Sequence, residues 1–332
     1  MKTFALFGAG RIGRIHAANI ASHAAARLKY VVDVDGSAAA GIAAAAGATV
    51  AGTETVLADG GVDALLVASP TDTHAALIEA GAAAGKAILC EKPVDLDVGR
   101  ARAAVAAAER AGILLAIGFN RRYDPSFRRI RQGIDDGEIG AVESVLIVSR
   151  DPSPPPAEYV KRSGGLFRDM TIHDLDMARW LLGEEPVEVT AHGSCLVDPA
   201  IGAAGDIDTA AVTLCTARGR IAQVANARRA VFGYDQRIEV CGARGMLAAG
   251  NRKSTSVERA TAAGYATDPA LPFFLERYAD AYRLELDAFV RRLHGEAADI
   301  VSGADGVRAL EIADACEKSL RTRATVLLES RA

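Results

Sequence analysis

The sequence lacks an excess of one charge and any long hydrophobic run, and each absence excludes a class of protein. A net charge of −4 over 332 residues argues against a nucleic-acid surface or a polybasic membrane patch. No apolar run approaches the roughly eighteen residues that a membrane helix needs. We therefore expect a small-molecule partner and neither a nucleic-acid nor a membrane partner.

Paired cysteines are also missing. The five cysteines are odd in number and form no CxxC motif: Cys90, Cys195, Cys215, Cys241 and Cys316. This pattern argues against a disulfide framework and against a zinc site, and it favours a reduced protein of the cytoplasm. We expect no metal.

Short apolar runs alternate with Ala-rich helical stretches up to about residue 118. The first run, "TFALFGAG", is too short for a signal peptide and is interpreted as a strand, followed by a helix from about Arg11 to Ser22. Further strands are predicted at "LKYVVDVD", "VDALLVASP", "AILCEKP" and "ILLAIGF", with a helix from about Asp97 to Ala111 before the last of them. Such alternation predicts a doubly wound parallel sheet, here a Rossmann domain over residues 1–119.

The pattern changes after residue 119. A helix near Phe127–Asp136, the strand "AVESVLIVSRD", a Pro-rich loop and a helix of about Phe167–Leu182 come first. Consecutive strands follow, joined by Gly-containing turns and with no helix predicted between them. They indicate a large, open, mainly antiparallel sheet in a second α/β domain over residues 120–332. A second domain is expected because the chain is longer than one hydrophobic core usually allows.

A last amphipathic helix is indicated by one apolar stripe closed by Gly295. The stripe consists of Tyr278, Tyr282, Leu286, Phe289 and Leu293. This C-terminal helix is expected either to remain in the second domain or to pack back on the first.

The stretch "FGAGRIGRIH" contains the motif G-x-G-x-x-G at Gly8, Gly10 and Gly13, with Arg11 and Ile12 between the last two glycines. It follows a predicted strand and begins a predicted helix, and this context favours binding of a dinucleotide cofactor. The glycines allow a tight turn, close approach of a pyrophosphate, and close helix–strand packing, and the helix N-terminus offers N–H groups to the phosphates. The alternative is a simple glycine-containing turn.

Asp33 ends the second predicted strand, twenty residues after Gly13. A carboxylate there is expected to accept hydrogen bonds from the adenosine ribose and to repel a 2′-phosphate. No arginine follows in "DVDGS", so we predict NAD rather than NADP. The alternative is that Asp33 or Asp35 only caps the next helix.

The stretch "CEKP" places Glu91 and Lys92 after an apolar strand, at the edge where ligands bind in open parallel sheets. A lysine there could assist proton movement at a substrate oxygen. The alternative is a solvated surface lysine.

Asp169 and His173 are four residues apart in "GGLFRDMTIHDLDMARWL", so both are predicted on one helix face, which Asp176 extends. Oxidation of an alcohol requires removal of the hydroxyl proton, and histidine suits that task near neutral pH. A carboxylate one turn away could bind a substrate hydroxyl. The alternative is a structural histidine.

The other histidines lack such a partner in sequence, and we interpret His16, His23, His192 and His294 as structural or exposed. His74 lies after the third long strand in "ASPTDTH". Pro70, Thr71 and His74 are therefore expected to contact the cofactor, with a helix-start cap as the alternative for His74.

Taken together, "GAGRIG", "VVDVD", "SPTDTH", "CEKP" and "DMTIHDLDMARWLLG", in this order and spacing, resemble the Gfo/Idh/MocA oxidoreductase family over essentially the whole chain. Within that family, "NRRYDPSF", "SRDPSPPP" and "GYDQRIEV" are similar to the bacterial inositol 2-dehydrogenases. The resemblance implies NAD-dependent oxidation of myo-inositol, and subunits that pair through the open sheet, commonly into tetramers.

The resemblance also implies site residues. Lys92, Asp169 and His173 match the catalytic residues of the family, with His173 as the acid/base. The positions matching its polyol pocket are Asn120, Arg121, Asp151 and Tyr234, and Tyr282 matches an aromatic near the nicotinamide. Some relatives carry His and Asn where this chain has Ser149 and Asp151, so another inositol isomer or a sugar is an alternative substrate. A glycosidase that uses NAD and a non-catalytic NAD-sensing regulator are the alternatives from other classes.

Overall fold

The computed structural model describes residues 1–329 and divides the chain into two compact units. The first unit comprises Met1–Tyr123 and Ala281–Leu310, and the second comprises Asp124–Asp280 and the chain from Glu311 onward. Every helix within residues 1–329 is too short or too polar to cross a bilayer.

The helices are, in chain order, α1 (Arg11–Ser22), α2 (Gly36–Ala46), α3 (Thr53–Ala58), α4 (His74–Ala83), α5 (Val98–Arg110), α6 (Pro125–Asp135), α7 (Ala157–Ser163), α8 (Ile172–Leu182), α9 (Pro199–Ala203), α10 (Phe274–Arg277), α11 (Ala279–Leu293) and α12 (Gly303–Thr322). Short 3₁₀ turns cover Thr71–Thr73 and Asn120–Tyr123, and a π-helical turn covers Phe167–Thr171.

The strands are β1 (Lys2–Phe7), β2 (Ala26–Val32), β3 (Thr49–Val50), β4 (Ala64–Val67), β5 (Ala87–Glu91), β6 (Leu115–Gly118), β7 (Val142–Arg150), β8 (Pro186–Ser194), β9 (Thr209–Thr216), β10 (Ile221–Ala227), β11 (Asp235–Gly242), β12 (Gly245–Ala249), β13 (Glu258–Thr261), β14 (Gly264–Thr267) and β15 (Val326–Leu327).

The first unit is built on a six-stranded sheet in the order β3-β2-β1-β4-β5-β6, and every pair in it is parallel. This confirms the predicted doubly wound parallel sheet. The strand order reverses between β1 and β4, and ligands of such sheets bind at the carboxyl ends of the strands beside that point.

Apolar side chains of β1, β2 and β4 pack against small residues of α1 and α2 in the core of the first unit. The predicted stripe on α11 contributes to the same core through Leu286 and Phe289, and the Phe289 ring lies 6.1 Å from that of Phe4. Burial of this stripe fixes the position of α11 on the sheet.

The second unit contains a seven-stranded sheet in the order β12-β11-β7-β10-β9-β8-β15. All its pairs are antiparallel except β7 with β10, which is parallel, so the sheet is mainly antiparallel as predicted. Helix α8 packs against β7 and β10. A separate hairpin of β13 and β14 was not predicted.

The prediction that no helix interrupts these strands is wrong. The five-residue α9 lies between β8 and β9, with Asp198 as its N-cap, Pro199 at its first position, and the Asp198 side chain accepting a hydrogen bond from the Ala200 N–H. A second short helix, α7, occupies part of the predicted Pro-rich loop and ends at Gly164, which has φ 84°. Helices of five to seven residues are too short to show a hydrophobic period.

Candidate active site

The glycine motif forms a closed turn between β1 and α1. Gly8 has φ 103°, and a Cβ there would lie 2.4 Å from the Ala68 carbonyl oxygen at the end of β4. A Cβ on Gly13 would lie 2.0 Å from the Gly8 carbonyl oxygen. The chain itself therefore requires glycine at both positions, at the reversal point of the sheet.

Gly10 differs from the other two glycines because a Cβ on it would meet no atom of the described chain within 4 Å. Gly10 is also the N-cap of α1, and no side chain among residues 1–329 caps that helix. The N–H groups at this helix N-terminus and the open space beside Gly10 fit a pyrophosphate. Of the two residues between Gly10 and Gly13, Arg11 is exposed and Ile12 is half-buried.

Asp33 stands just after β2 and is joined to the glycine loop. Its Oδ2 accepts a hydrogen bond from the Ala9 N–H at 2.5 Å, and its Oδ1 accepts one from the Asp35 N–H at 2.8 Å. The cap of α2 is Asp35, which accepts from the Ser37 and Ala38 N–H groups. Asp33 is therefore free of the capping role and faces the loop that would hold the cofactor.

His74 is the first residue of α4, and it is buried. Its ring nitrogens each lie 2.8 Å from a carbonyl oxygen, one of Pro93 and one of Ser69. The ring therefore connects the ends of β4 and β5, and it is not a helix cap. Pro70 is exposed and Thr71 half-buried on the same loop.

Glu91 is the last residue of β5 and Lys92 follows it at the carboxyl edge of the sheet. The Lys92 side chain is half-buried, and the Lys92–Pro93 peptide bond is cis. Glu91 Oε1 lies 2.8 Å from Nε2 of the buried His16. His16 therefore has a carboxylate partner that local spacing in the sequence did not indicate, because the partner lies 75 residues away.

The remaining predicted residues of the first unit are buried. Asn120 and Arg121 follow β6 at the same sheet edge as Lys92 follows β5. Tyr282 lies on α11, and its ring packs edge-on against His16 with centroids 5.6 Å apart. Apart from Tyr282, which lies on α11, the predicted cofactor residues of the first unit thus follow the carboxyl ends of adjacent strands.

In the second unit, Asp169 and His173 lie at the junction of two helix types. Asp169 is in the π-helical turn Phe167–Thr171, and His173 is the second residue of α8. The predicted helix over these residues is present, but its first turn is wider than an α-helical turn. Such π-helical turns are frequent at functional sites.

Two residues that the sequence did not indicate bind the Asp169 carboxylate. The Tyr159 hydroxyl donates to Oδ1 at 2.8 Å, and the Arg228 guanidinium donates to Oδ2 at 3.1 Å. Burial and the charge of Asp169 raise the pKa of Tyr159, so its hydroxyl stays a donor. Another nitrogen of Arg228 lies 3.8 Å from Asp151, a predicted pocket residue.

A buried hydrogen-bond network fixes the start of α8 beneath His173. Asp174, the next residue, accepts hydrogen bonds from Ser149 on β7 and from Asn226 on β10, each at 2.8 Å. Asn226 in turn accepts one from Thr171 at 2.7 Å. Asp176, which was predicted to extend the His173 face, lies 3.6 Å from the Arg179 guanidinium.

Tyr234 is buried just before β11. Its ring makes edge contacts with Phe273 and with Tyr278, at centroid distances of 6.1 and 6.0 Å. The Tyr278 hydroxyl donates to Gln236 at 2.9 Å, and Ser149 Oγ, whose proton is directed at Asp174, lies 2.9 Å from the same Gln236 oxygen. The predicted pocket residue Tyr234 is therefore anchored by the same polar network that supports α8.

Comparison with known proteins matches both parts of the chain to one family. Residues 2–119 match the oxidoreductase family model with an NAD-binding Rossmann fold, and residues 127–248 match the GFO/IDH/MocA C-terminal domain. The inositol 2-dehydrogenase of Rhizobium meliloti is 52% identical over 317 residues, covering 96% of each chain.

Solved structures are similar over the same length. A myo-inositol dehydrogenase from Corynebacterium glutamicum has a TM-score of 0.95 and 42% identity, with all of both chains covered. A scyllo-inositol dehydrogenase from Lactobacillus casei, with bound NAD(H) and scyllo-inositol, has a TM-score of 0.91 and 30% identity over 98% of this chain and 99% of that one.

Proposed function

Because the chain belongs to the Gfo/Idh/MocA oxidoreductase family and is an NAD-dependent dehydrogenase, we propose that it oxidises myo-inositol at C2 to 2-keto-myo-inositol. The observation that carries this proposal is the constellation around Asp169, whose carboxylate is bound by Tyr159 and Arg228 one turn before His173. The names of the relatives, which are inositol dehydrogenases, support the substrate.

We assign His173 the role of the base that accepts the proton of the reacting hydroxyl. Loss of that proton lets the C–H electron pair leave as hydride, and the carbon becomes a ketone. When bound, NAD supplies the hydride acceptor. The hydrogen-bond network below Asp174 supports this role because it fixes the first turn of α8.

Asp169 and Lys92 bind and polarise the reacting oxygen in this proposal. A carboxylate already fixed by two donors is preorganised to accept a hydroxyl hydrogen bond without reorganisation. Lys92 places a positive charge where negative charge develops on the oxygen. Asn120, Arg121, Asp151 and Tyr234 are assigned to the uncharged polyol.

The cellular compartment, the metabolic role and the number of subunits are part of the same proposal. We propose that it acts in the cytoplasm, in inositol catabolism, as a homo-oligomer of four subunits. The reduced cysteines support the compartment, since all five are free thiols.

The decisive experiment measures NADH formation with myo-, scyllo- and D-chiro-inositol and with glucose. We expect the highest kcat/KM with myo-inositol. A higher kcat/KM with another of these compounds would identify that compound as the substrate and would still show a dehydrogenase. A glycosidase returns its cofactor unchanged and a regulator does not turn over, so net NADH excludes both alternatives.

A further inference from the structure

Three ionisable side chains meet in the interior of the first unit, at the end of β5 and one residue before Lys92. They are His16 from α1, Glu91 from β5 and Glu285 from α11, with exposed fractions of 1%, 9% and 1%. One ring nitrogen or carboxylate oxygen of each lies within 4.8 Å of the others. None of the roles assigned so far involves Glu285.

The two carboxyl groups of this cluster are in different environments. Glu91 accepts a hydrogen bond from the His16 ring at 2.8 Å. Neither oxygen of Glu285 has a hydrogen-bond partner among residues 1–329. An ionised, unsolvated carboxylate beside a second carboxylate is strongly unfavourable, so either a proton or a bound cation must reduce the charge.

The contact between His16 and Glu91 favours a proton on Glu285 over a cation bound in the cluster. A ring nitrogen at 2.8 Å from a carboxylate oxygen carries a proton in the bond and has no lone pair left for a cation. A cation at Nε2 would have to replace that hydrogen bond, while Nδ1 of His16 is buried and has no hydrogen-bond partner among residues 1–329. The edge of the Tyr282 ring packs against His16 and offers no charge of its own to the cluster.

We propose that Glu285 keeps its proton in the folded protein, so that it adds no second negative charge beside Glu91, and is with His16 a positioning residue for Lys92. Burial, and to a smaller extent the charge of Glu91, raises the pKa of Glu285 well above its usual range. The ionisable groups beside Glu285 are His16 from α1 and Glu91 from β5, and the Tyr282 ring packs against His16.

The cluster acts on Lys92 through the chain. Glu91 is the last residue of β5, so fixing its carboxylate fixes the peptide that leads into Lys92. The neighbouring strand β6 lies close to the Glu91 carboxylate. A Cβ on Gly118 of β6 would lie 3.0 Å from Glu91 Oε2, so a side chain at this position would crowd that carboxylate. A displaced Glu91 would therefore move Lys92 and not merely its own side chain.

Infrared difference spectroscopy tests the proton without reference to turnover. The infrared difference spectrum, parent minus Glu285→Gln at neutral pH, is expected to contain the carbonyl band of a protonated carboxylic acid. This band should shift in D₂O. Exposed Glu258 provides the control, since Glu258→Gln should remove only carboxylate bands. Loss of carboxylate bands alone in Glu285→Gln, or a stoichiometric metal found in the parent by native mass spectrometry, would overturn the proposal.

Steady-state kinetics tests the positioning role, which rests on the proposed dehydrogenase function. Gln resembles the neutral acid in size, polarity and charge, so Glu285→Gln should keep kcat within about threefold, while Glu285→Leu should lower it by roughly 10- to 100-fold with NAD affinity unchanged. Equal losses in both variants, or parental kcat in a folded Glu285→Leu, would refute the role. If Glu285→Leu does not fold, the Gln variant decides.

The two proposals fail in different ways. A parent protein that forms no NADH with any polyol would refute the proposed function and leave the infrared result intact. An active parent without a protonated carboxyl band would refute the role of Glu285 alone.

Discussion

The Arg228 guanidinium lies 3.1 Å from the Asp169 carboxylate, and only 1% of Arg228 is exposed. A buried guanidinium is costly unless it is paired, so this arginine and the carboxylates of Asp169 and Asp151 stabilise one another. The ion pair also fixes Asp169 before any substrate arrives. We therefore expect Arg228 to contribute both to the stability of the second unit and to the proposed chemistry at Asp169.

Replacement of this arginine should affect both properties. Arg228→Leu is expected to lower kcat/KM by about 100-fold and to cost roughly 2 kcal/mol in the free energy of unfolding, because two carboxylates lose their partner. Arg228→Lys should be intermediate, since lysine cannot form two parallel contacts. Urea unfolding and steady-state kinetics measure the two effects. Exposed Arg259 provides the control, and parental kcat/KM in a folded Arg228→Leu would contradict the assignment.

Removal of the proposed base should slow chemistry without weakening the cofactor. His173→Asn keeps size and polarity, so kcat should fall by about 10²- to 10⁴-fold while the Kd for NAD stays unchanged. The rise of kcat/KM with pH near neutrality should disappear in the variant. A folded His173→Asn with parental turnover and pH profile would make this histidine structural and leave Lys92 as the candidate for proton transfer.

Cofactor preference should depend on Asp33. The parent is expected to prefer NAD over NADP by at least about tenfold, or ~1.4 kcal/mol, since this carboxylate would face the ribose hydroxyls. Asp33→Ala should raise the relative use of NADP, as measured by kcat/KM for each cofactor. Asp35→Ala is the matched control, because it removes the cap of α2 at a cost of about 1 kcal/mol and should leave the preference unchanged. Equal use of both cofactors by the parent would contradict this role.

The exposed face of the second sheet should mediate subunit contacts. By strand register, Leu146, Ile221 and Met246 lie on one face, and they are 41%, 41% and 53% exposed. A sheet face with exposed apolar positions favours association between copies. Light scattering should show an oligomer that the double variant Leu146→Lys, Ile221→Lys dissociates, whereas Leu196→Lys on a loop should not. A parent that is monomeric at micromolar concentration would exclude this assembly.

The stability of the protein should depend on pH through Glu285. Its pKa is raised in the folded state, so its contribution is fully present below the unfolded pKa and is lost as pH rises towards the folded pKa. From about pH 5 upward, the parent should lose ~1.4 kcal/mol of unfolding free energy per pH unit relative to Glu285→Gln. Urea unfolding at several pH values measures this difference, and parallel curves for the two proteins would mean that Glu285 is ionised.

The sequence by itself determined the features that depend on near neighbours. The helix predicted from Arg11 to Ser22 has those bounds in the structure, and the glycine motif lies between strand and helix as expected. Asp33 follows β2, and the stripe on α11 is buried. These features follow from local periodicity, from steric requirements at single positions, and from strand order, all of which are written in short stretches of sequence.

Only the tertiary structure decided which distant side chains meet. Arg228 and Asp169 are 59 residues apart, and His16 and Glu91 are 75 apart, so no local pattern joins them. The parallel pairing of β7 with β10 and the π-helical turn at Asp169 likewise depend on packing. The physical reason is that burial makes an unpaired charge costly, and the partner that satisfies it is chosen by the fold and not by spacing along the chain.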